Sequence, residues 1–304
     1  MRITSFSNLA DYARNAAVTP AVAVVEAQEE HTIESVITAA KDGIIRPVFI
    51  GDGMRIRELI EKAGAFPMDF EIVASGGAQE SMKRAVEFIH AGDTAVLMKG
   101  SIDTSVFMKA VLNESNKLLS GNRLSVAGIF ETAGYHKLFT ISDMAINPYP
   151  DFDCKRAIVE NAVKMLNSLG NECPKAAILS SVEKFNPKLP DSVDADALKR
   201  LGETGKIKNC IIEGPISFDL ATSAEAAKIK EYTSPVAGDA DLLIVPDLVA
   251  GNILAKCLTG MAGAKTAGAV LGAKIPIVLT SRSAAASDKY YSIALAACLG
   301  TNKI

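Results

Sequence analysis

The feature that most limits what this chain can fold into is a set of short, unbroken apolar runs separated by amphipathic segments. "AVAVVEA" (21–27), "RPVFIGD" (46–52), "FEIVAS" and "TAVLMKGS" (94–101) are such runs. Between them lie "HTIESVITAAKDG", "GMRIRELIEKAG" and "GAQESMKRAVEFIHAG", each with helical apolar spacing. A strand that is apolar on both faces is covered on both faces, so this alternation predicts βαβ units around a parallel sheet.

The rhythm changes after residue 120. "NRLSVAGIF" and "YHKLFTISDMAI" read as strands in quick succession, an antiparallel insertion closed by Asn147-Pro148-Tyr149-Pro150. Alternation then resumes through "CKRAIVENAVKMLNSLG", "KAAILSS", "DADALKRLGETG", "NCIIEGPIS", "DLLIVPD", "GNILAKCLTGMAGA" and "IPIVLTS". "GMAGAKTAG" (260–268) reads as a close-packed glycine–alanine helix. At 304 residues the chain is long for one core, so two domains are expected. The predicted fold class is α/β, two-domain, with mainly parallel sheets and helices on both faces. Domain I comprises residues 1–131 plus 272–304, and domain II residues 132–271.

Several functions are disfavoured by the bulk chemistry. Net charge is −3, so no basic field invites nucleic acid. No apolar run reaches membrane-spanning length, and the polar N-terminus reads as a helix rather than a leader. The five cysteines show no metal-ligand or disulfide spacing, which fits a reducing cytoplasm and no metal. Neither a GxxxxGK[ST] loop nor a GxGxxG after a strand is present, and no Ser/His/Asp triad or GxSxG elbow is found.

Ligands of open α/β sheets bind beyond the carboxyl ends of strands. Four predicted strand ends carry polar or glycine-rich residues: "MKGSIDTS" (98–105), "EGPISFD" (213–219), "VPDLVAGN" (245–252) and "TSRSAAASD" (280–288). In the last, Ser281 and Arg282 end a strand and Asp288 opens a helix, with small residues between. Arg282 suits phosphate oxygens, or a surface ion pair; Asp288 or Ser287 suits a cap. In the third, Pro246 ends the strand, Gly251 permits close approach, Asn252 suits a cap and Lys256 follows one turn on. In the first, Lys99, Gly100, Ser101 and Thr104 form a strand–helix turn, with Lys109 further along. His31 follows the first strand.

Taken together, "SPVAGDADLLIVPDLVAGNILAKCL", "IEGPISFDLA", "LFTISDMAINPYPD", "RPVFIGD" and above all "SRSAAASD" resemble the phosphate acetyltransferase/phosphate butyryltransferase family, closer to the butyryl branch. The resemblance runs along most of the chain. It implies an isocitrate/isopropylmalate dehydrogenase-like fold with the active site in the interdomain cleft, usually in a homodimer. The implied reaction is acyl-CoA plus phosphate to acyl phosphate plus CoA, reversible, with no metal. Coenzyme A is a substrate, and no cofactor is permanently bound. Carried over, Asp288 is the base for the CoA thiol, Arg282 holds the phosphoryl group and Ser281 donates to the oxyanion. Gly100, Thr104, Lys109, Pro246, Asn252, Lys256 and His31 would contact CoA or phosphate. Acetyl-branch enzymes carry arginine where this chain has Lys109, His31 and Thr259. Competing expectations are acetyl-CoA as substrate and a non-catalytic acyl-CoA-binding protein; a metal-dependent dehydrogenase lacks its aspartate cluster.

Overall fold

The computed structural model describes residues 2–281 and 284–301. The elements, in chain order, are α1 (Phe6–Arg14), β1 (Ala21–Val25), α2 (Glu30–Lys41), β2 (Arg46–Gly51), α3 (Gly53–Lys62), β3 (Glu71–Ala74), α4 (Ala78–Ala91), β4 (Val96–Lys99), α5 (Thr104–Leu112), β5 (Ser125–Glu131) and β6 (Phe139–Ser142). They continue with α6 (Phe152–Ser168), β7 (Lys175–Leu179), α7 (Pro190–Glu203), β8 (Ile211–Ile216), α8 (Phe218–Thr222), α9 (Ala224–Ile229), β9 (Leu242–Ile244), α10 (Leu248–Gly260), β10 (Lys265–Leu271), β11 (Ile277–Val278) and α11 (Ala286–Thr301). Two compact units result. The first comprises Phe6–Asn122 and Ala267–Ile304, the second Met1–Ser5 and Arg123–Thr266. The chain thus changes unit at 5/6, 122/123 and 266/267, where the sequence reading had 131/132 and 271/272.

In the first unit the strands run β3-β2-β1-β4-β11-β10. All neighbours are parallel except β10, which is antiparallel to β11. Every residue of β1 is buried, as a central strand covered on both faces requires. Acidic caps begin the helices that follow: Glu29 on α2, Asp52 on α3 and Asp103 on α5.

In the second unit the order is β5-β6-β9-β7-β8. β5 and β6 are the expected antiparallel pair, and the other neighbours are parallel. Phe130 and Phe139 stack there with ring centroids 5.6 Å apart. The inner face of α10 lays Ala250, Leu254 and Leu258 on a core that includes Phe139, Ile141, Leu243 and Val245.

Two readings of the sequence are corrected. "GMAGAKTAG" is not a helix: α10 stops at Gly260, Gly263 takes a left-handed conformation (φ 61°), and the chain continues as β10. Lys265, Thr266 and Gly268 give that strand no continuous apolar signal, and its state follows from pairing within the sheet. The helix read from Gly251 also begins earlier. Asp247, whose side chain accepts from the Ala250 N–H at 2.8 Å, starts α10. Asn252 is therefore inside the helix and not its cap.

Candidate active site

Of the four polar strand ends, the fold brings two side by side. β4 and β11 are parallel neighbours, with Leu97 opposite Ile277 and Met98 opposite Val278. Their continuations, Lys99-Gly100-Ser101 and Leu279-Thr280-Ser281, leave the same carboxyl edge of the first unit. β1 lies on the other side of β4, with Val25 opposite Lys99, so Glu26 ends there too. The helices that follow β1, β4 and β11 at this edge are α2, α5 and α11. A helix N-terminus carries partial positive charge and free N–H groups, so three of them at one edge favour an anion.

The turn after β4 is built on the backbone of β1. Gly100 N donates to Val25 O at 2.8 Å, and Ser101 N and Oγ donate to Glu26 O at 2.7 and 3.0 Å. Glu26 adopts a left-handed conformation (φ 55°). Its carboxylate accepts from Gln28 Nε2 at 2.7 Å and from the buried Ser81 hydroxyl. Lys99 is buried at the end of β4, with Nζ 3.1 Å from Gly100 O.

Ser281 is exposed at the end of the β11 segment, and its carbonyl accepts from Ala284 N at 3.1 Å. Arg282 and Ser283 lie outside the described residues. Asp288 is half-buried in the first turn of α11, two residues inside the helix rather than capping it. Its carbonyl accepts from Ser292 Oγ at 2.7 Å, and that oxygen accepts from Gly268 N at 3.0 Å. The backbone that carries the Asp288 carboxylate is thereby anchored to β10.

His31 sits in the first turn of α2, exposed, with its N–H on Glu29 Oε1 at 3.1 Å and Nδ1 3.4 Å from Glu34 Oε2. Thr104 is the exposed first residue of α5, beside the Asp103 cap. Lys109 is elsewhere. It lies in the last turn of α5, some 7.5 Å farther along the axis at about 1.5 Å per residue, and lines a 430 Å³ hollow with Met82, Val86 and Val106.

The other two polar ends belong to the second unit. Pro246 links β9 to the Asp247 cap of α10. Gly251 faces protein backbone: a Cβ there would meet Asp143 O at 2.7 Å. Asn252 Nδ2 donates to Met144 O at 3.3 Å, so α10 is held to the loop after β6. Lys256 is exposed one turn on. The "EGPISFD" end closes on itself. Ser217 Oγ and Lys230 Nζ reach Glu183 Oε1 at 3.0 and 2.7 Å, and Lys230 also meets Asp219 at 3.0 Å. Lys230 and then Ser217 hold the Glu183 carboxyl below the usual carboxylate range.

Sequence reasoning missed Glu29 and Lys289. Glutamate is an uncommon cap, and a lysine beside Asp288 reads as a surface charge. Lys289 is in fact 1% exposed, with Nζ 3.0 Å from Glu29 Oε2. Burial alone would raise the Glu29 carboxyl, but hydrogen bonds from Thr32 and Lys289 outweigh it and lower it.

Residues 56–297 match the family model described as phosphate acetyl/butaryl transferase. The phosphate butyryltransferase of Clostridium acetobutylicum is 39% identical, covering 93% of this chain and 94% of its own length. The phosphate acetyltransferase of Thermotoga maritima is 38% identical, covering 91% and 94%. A branched-chain phosphotransacylase from Enterococcus faecalis V583 superposes with TM-score 0.82 at 31% identity, covering 94% of this chain and 100% of that one.

Proposed function

We propose the following reaction on the premise that this chain belongs to the phosphate acetyl/butaryl transferase family: it is a phosphate acyltransferase that passes a short-chain acyl group reversibly between coenzyme A and inorganic phosphate. The observation that carries the reading within the structure is the β4–β11 pairing, which gives one sheet edge Gly100, Ser281, the Asp288 helix and the N-termini of α5 and α11.

In the direction that consumes acyl phosphate, the CoA thiol loses its proton to the Asp288 carboxylate as the sulfur attacks the acyl carbon. The carbonyl oxygen takes up negative charge in the tetrahedral intermediate. The carbon–oxygen bond to phosphate then breaks, and phosphate leaves with the electron pair. A free thiol near pKa 8.5 and a carboxyl near 3.9 differ by an amount equal to about 6 kcal/mol, so transfer accompanies attack rather than preceding it. Ser281 donates to the oxyanion, an interaction worth about 3–4 kcal/mol when removed in comparable sites. Arg282 is assigned the departing phosphate on the family resemblance alone. CoA is a substrate, and no resident cofactor enters the reaction.

Gly100, Thr104 and His31 complete the proposed substrate contacts on this edge, and Pro246 and Asn252 are assigned to substrate on the family resemblance alone. Lys109 and Lys256, exposed and well along their helices, act at longer range by raising the local anion concentration. An isocitrate/isopropylmalate dehydrogenase-like architecture belongs to the same proposal, and two α/β units support it. A homodimer does also. The outer face of α10 supports that reading: Val249 and Ile253, and Met261 just past its end, are all more than half exposed. A cytoplasmic site of action is supported by five free cysteines, and among the described residues no helix is long and apolar enough to cross a membrane.

Butyryl is the proposed acyl group. Relatives named for butyryl and for acetyl are almost equally similar, so the test is phosphate-dependent CoA release from acetyl-, propionyl-, butyryl- and isobutyryl-CoA. A kcat/KM optimum at four carbons supports butyryl, and an optimum at two carbons replaces it with acetyl. No release from any of them, with CoA still bound, leaves a non-catalytic acyl-CoA-binding protein.

A further inference from the structure

We propose that the buried Lys289–Glu29 ion pair is a positioning device for the acyl-transfer base, fixing the first turn of α11 and with it the Asp288 carboxylate. The inference rests on the reading of Asp288 given above and extends it to two residues that touch no reacting atom.

The geometry is unusual for an ion pair of this kind. The Lys289 side chain is 2% exposed, in the first turn of a helix whose N-terminus stands at the carboxyl edge of the sheet. A buried ammonium is tolerated only when paired and hydrogen-bonded, and an apolar residue of similar length would fill the space without that penalty. The charge therefore points to a constraint that an apolar side chain would not supply: a directional bond to one partner.

That partner is itself fixed. Glu29 precedes α2 and caps it, accepting His31 N on Oε1 at 3.1 Å and Thr32 N on Oε2 at 2.9 Å. The Thr32 hydroxyl donates to the same Oε2. Aspartate and serine are the usual residues for such a cap. Glutamate has one more methylene, and here that length lets one carboxylate cap α2 and meet the ammonium of α11 at the same time. A second polar contact runs parallel to the first. Ser35 Oγ, which donates to His31 O at 2.7 Å, lies 3.3 Å from Ala286 O, the first residue of α11. The cap and second turn of α2 are thus joined to the first turn of α11 by two polar contacts, one at Ala286 and one at Lys289, on either side of Asp288. Ser292 Oγ, which donates to the Asp288 carbonyl from the next turn of α11, accepts from Gly268 N, so β10 holds the same helix as well. A misplacement of about 1 Å at a reacting group can lower a rate by roughly a hundredfold, so a device of this kind has a catalytic consequence.

The test compares Lys289→Met, Glu29→Gln, Asp288→Asn and the Asp288→Asn/Lys289→Met double variant as full-length enzymes. Turnover is followed as acyl-phosphate-dependent consumption of the CoA thiol, at enzyme concentrations high enough to read residual rates. K289M is expected to lower kcat by roughly tenfold to a hundredfold while both KM values stay within about twofold. In the Asp288→Asn background the same substitution is expected to cost nothing further, because a positioning residue has no effect once the group it positions is gone. Glu29→Gln keeps a cap acceptor, loses the anion, and is expected to reproduce the kcat loss if K289M does not fold. Wild-type kcat in K289M or E29Q overturns the proposal, and so does an equal loss from Lys289→Met with and without the Asp288 carboxylate. Asp288→Asn with wild-type kcat would instead overturn the assignment of the base, and absence of turnover in the unaltered protein would overturn the acyltransferase reading itself.

Discussion

The carbonyl oxygen of Glu26 lies 2.2 Å from the point where a Cβ on Gly100 would stand, and that of Val25 lies 2.7 Å from it. The turn between β4 and α5 is therefore closed against the end of β1 by backbone, with no side chain that could move aside. Gly100→Ala has to push these segments apart. A loss on the order of 3 kcal/mol in urea unfolding is expected, with kcat falling as well, since Ser101 and the start of α5 shift with the turn. Stability and kcat equal to the unaltered protein would show that the turn yields freely.

Asp239 provides a pH-dependent stability that is unrelated to catalysis. Burial works to raise its carboxyl, but Lys137, Lys175 and His136 outweigh it and hold it well below the usual range. A depressed folded-state pKa gives stability that is present above the unfolded value of about 3.9 and is lost as pH falls through the folded one. Asp239→Asn should melt below the unaltered protein at pH 7, and the gap should close on acidification below about pH 4. A gap that widens on acidification would contradict this sign.

The outer face of α10 is tested by mass and by labelling. Cys257 is exposed on the same i, i+4 row as Val249, Ile253 and Met261. If this row joins two copies, Ile253→Asp should convert a dimer to a monomer in sedimentation and open Cys257 to alkylation. Cys173 is exposed in both cases, whereas burial pushes the Cys298 thiol up to about 12 and leaves it unreactive near neutral pH. A dimer unaffected by Ile253→Asp would assign the interface elsewhere.

How much of this was legible in the sequence follows from where each signal resides. β1, β2, β4, β7 and β9 announce themselves because a strand covered on both faces must be apolar throughout. β10 did not, because Thr266, Gly268 and the small residues around them carry no apolar run, and pairing within the sheet makes it a strand. The start of α10 was available in "VPDLVAGN", where Asp247 precedes the apolar run, yet Asn252 competed as a cap of equal quality by residue type. "MKGS" and "TSRS" were each recognisable as polar strand ends. Their adjacency was not, since strand order is decided by tertiary packing. The Glu29–Lys289 pair was least legible of all, because nothing in a lysine's local sequence reports that it will be buried against a distant cap.

The measurement that bears most directly on the account is the steady-state comparison of Asp288→Asn with the unaltered enzyme, in CoA consumption with acyl phosphate. Loss of the general base should lower kcat by about 10²–10⁴ and leave KM for CoA within a few-fold, since the carboxylate acts on the proton rather than on binding. A kcat close to that of the unaltered enzyme would contradict the central claim that Asp288 takes the thiol proton.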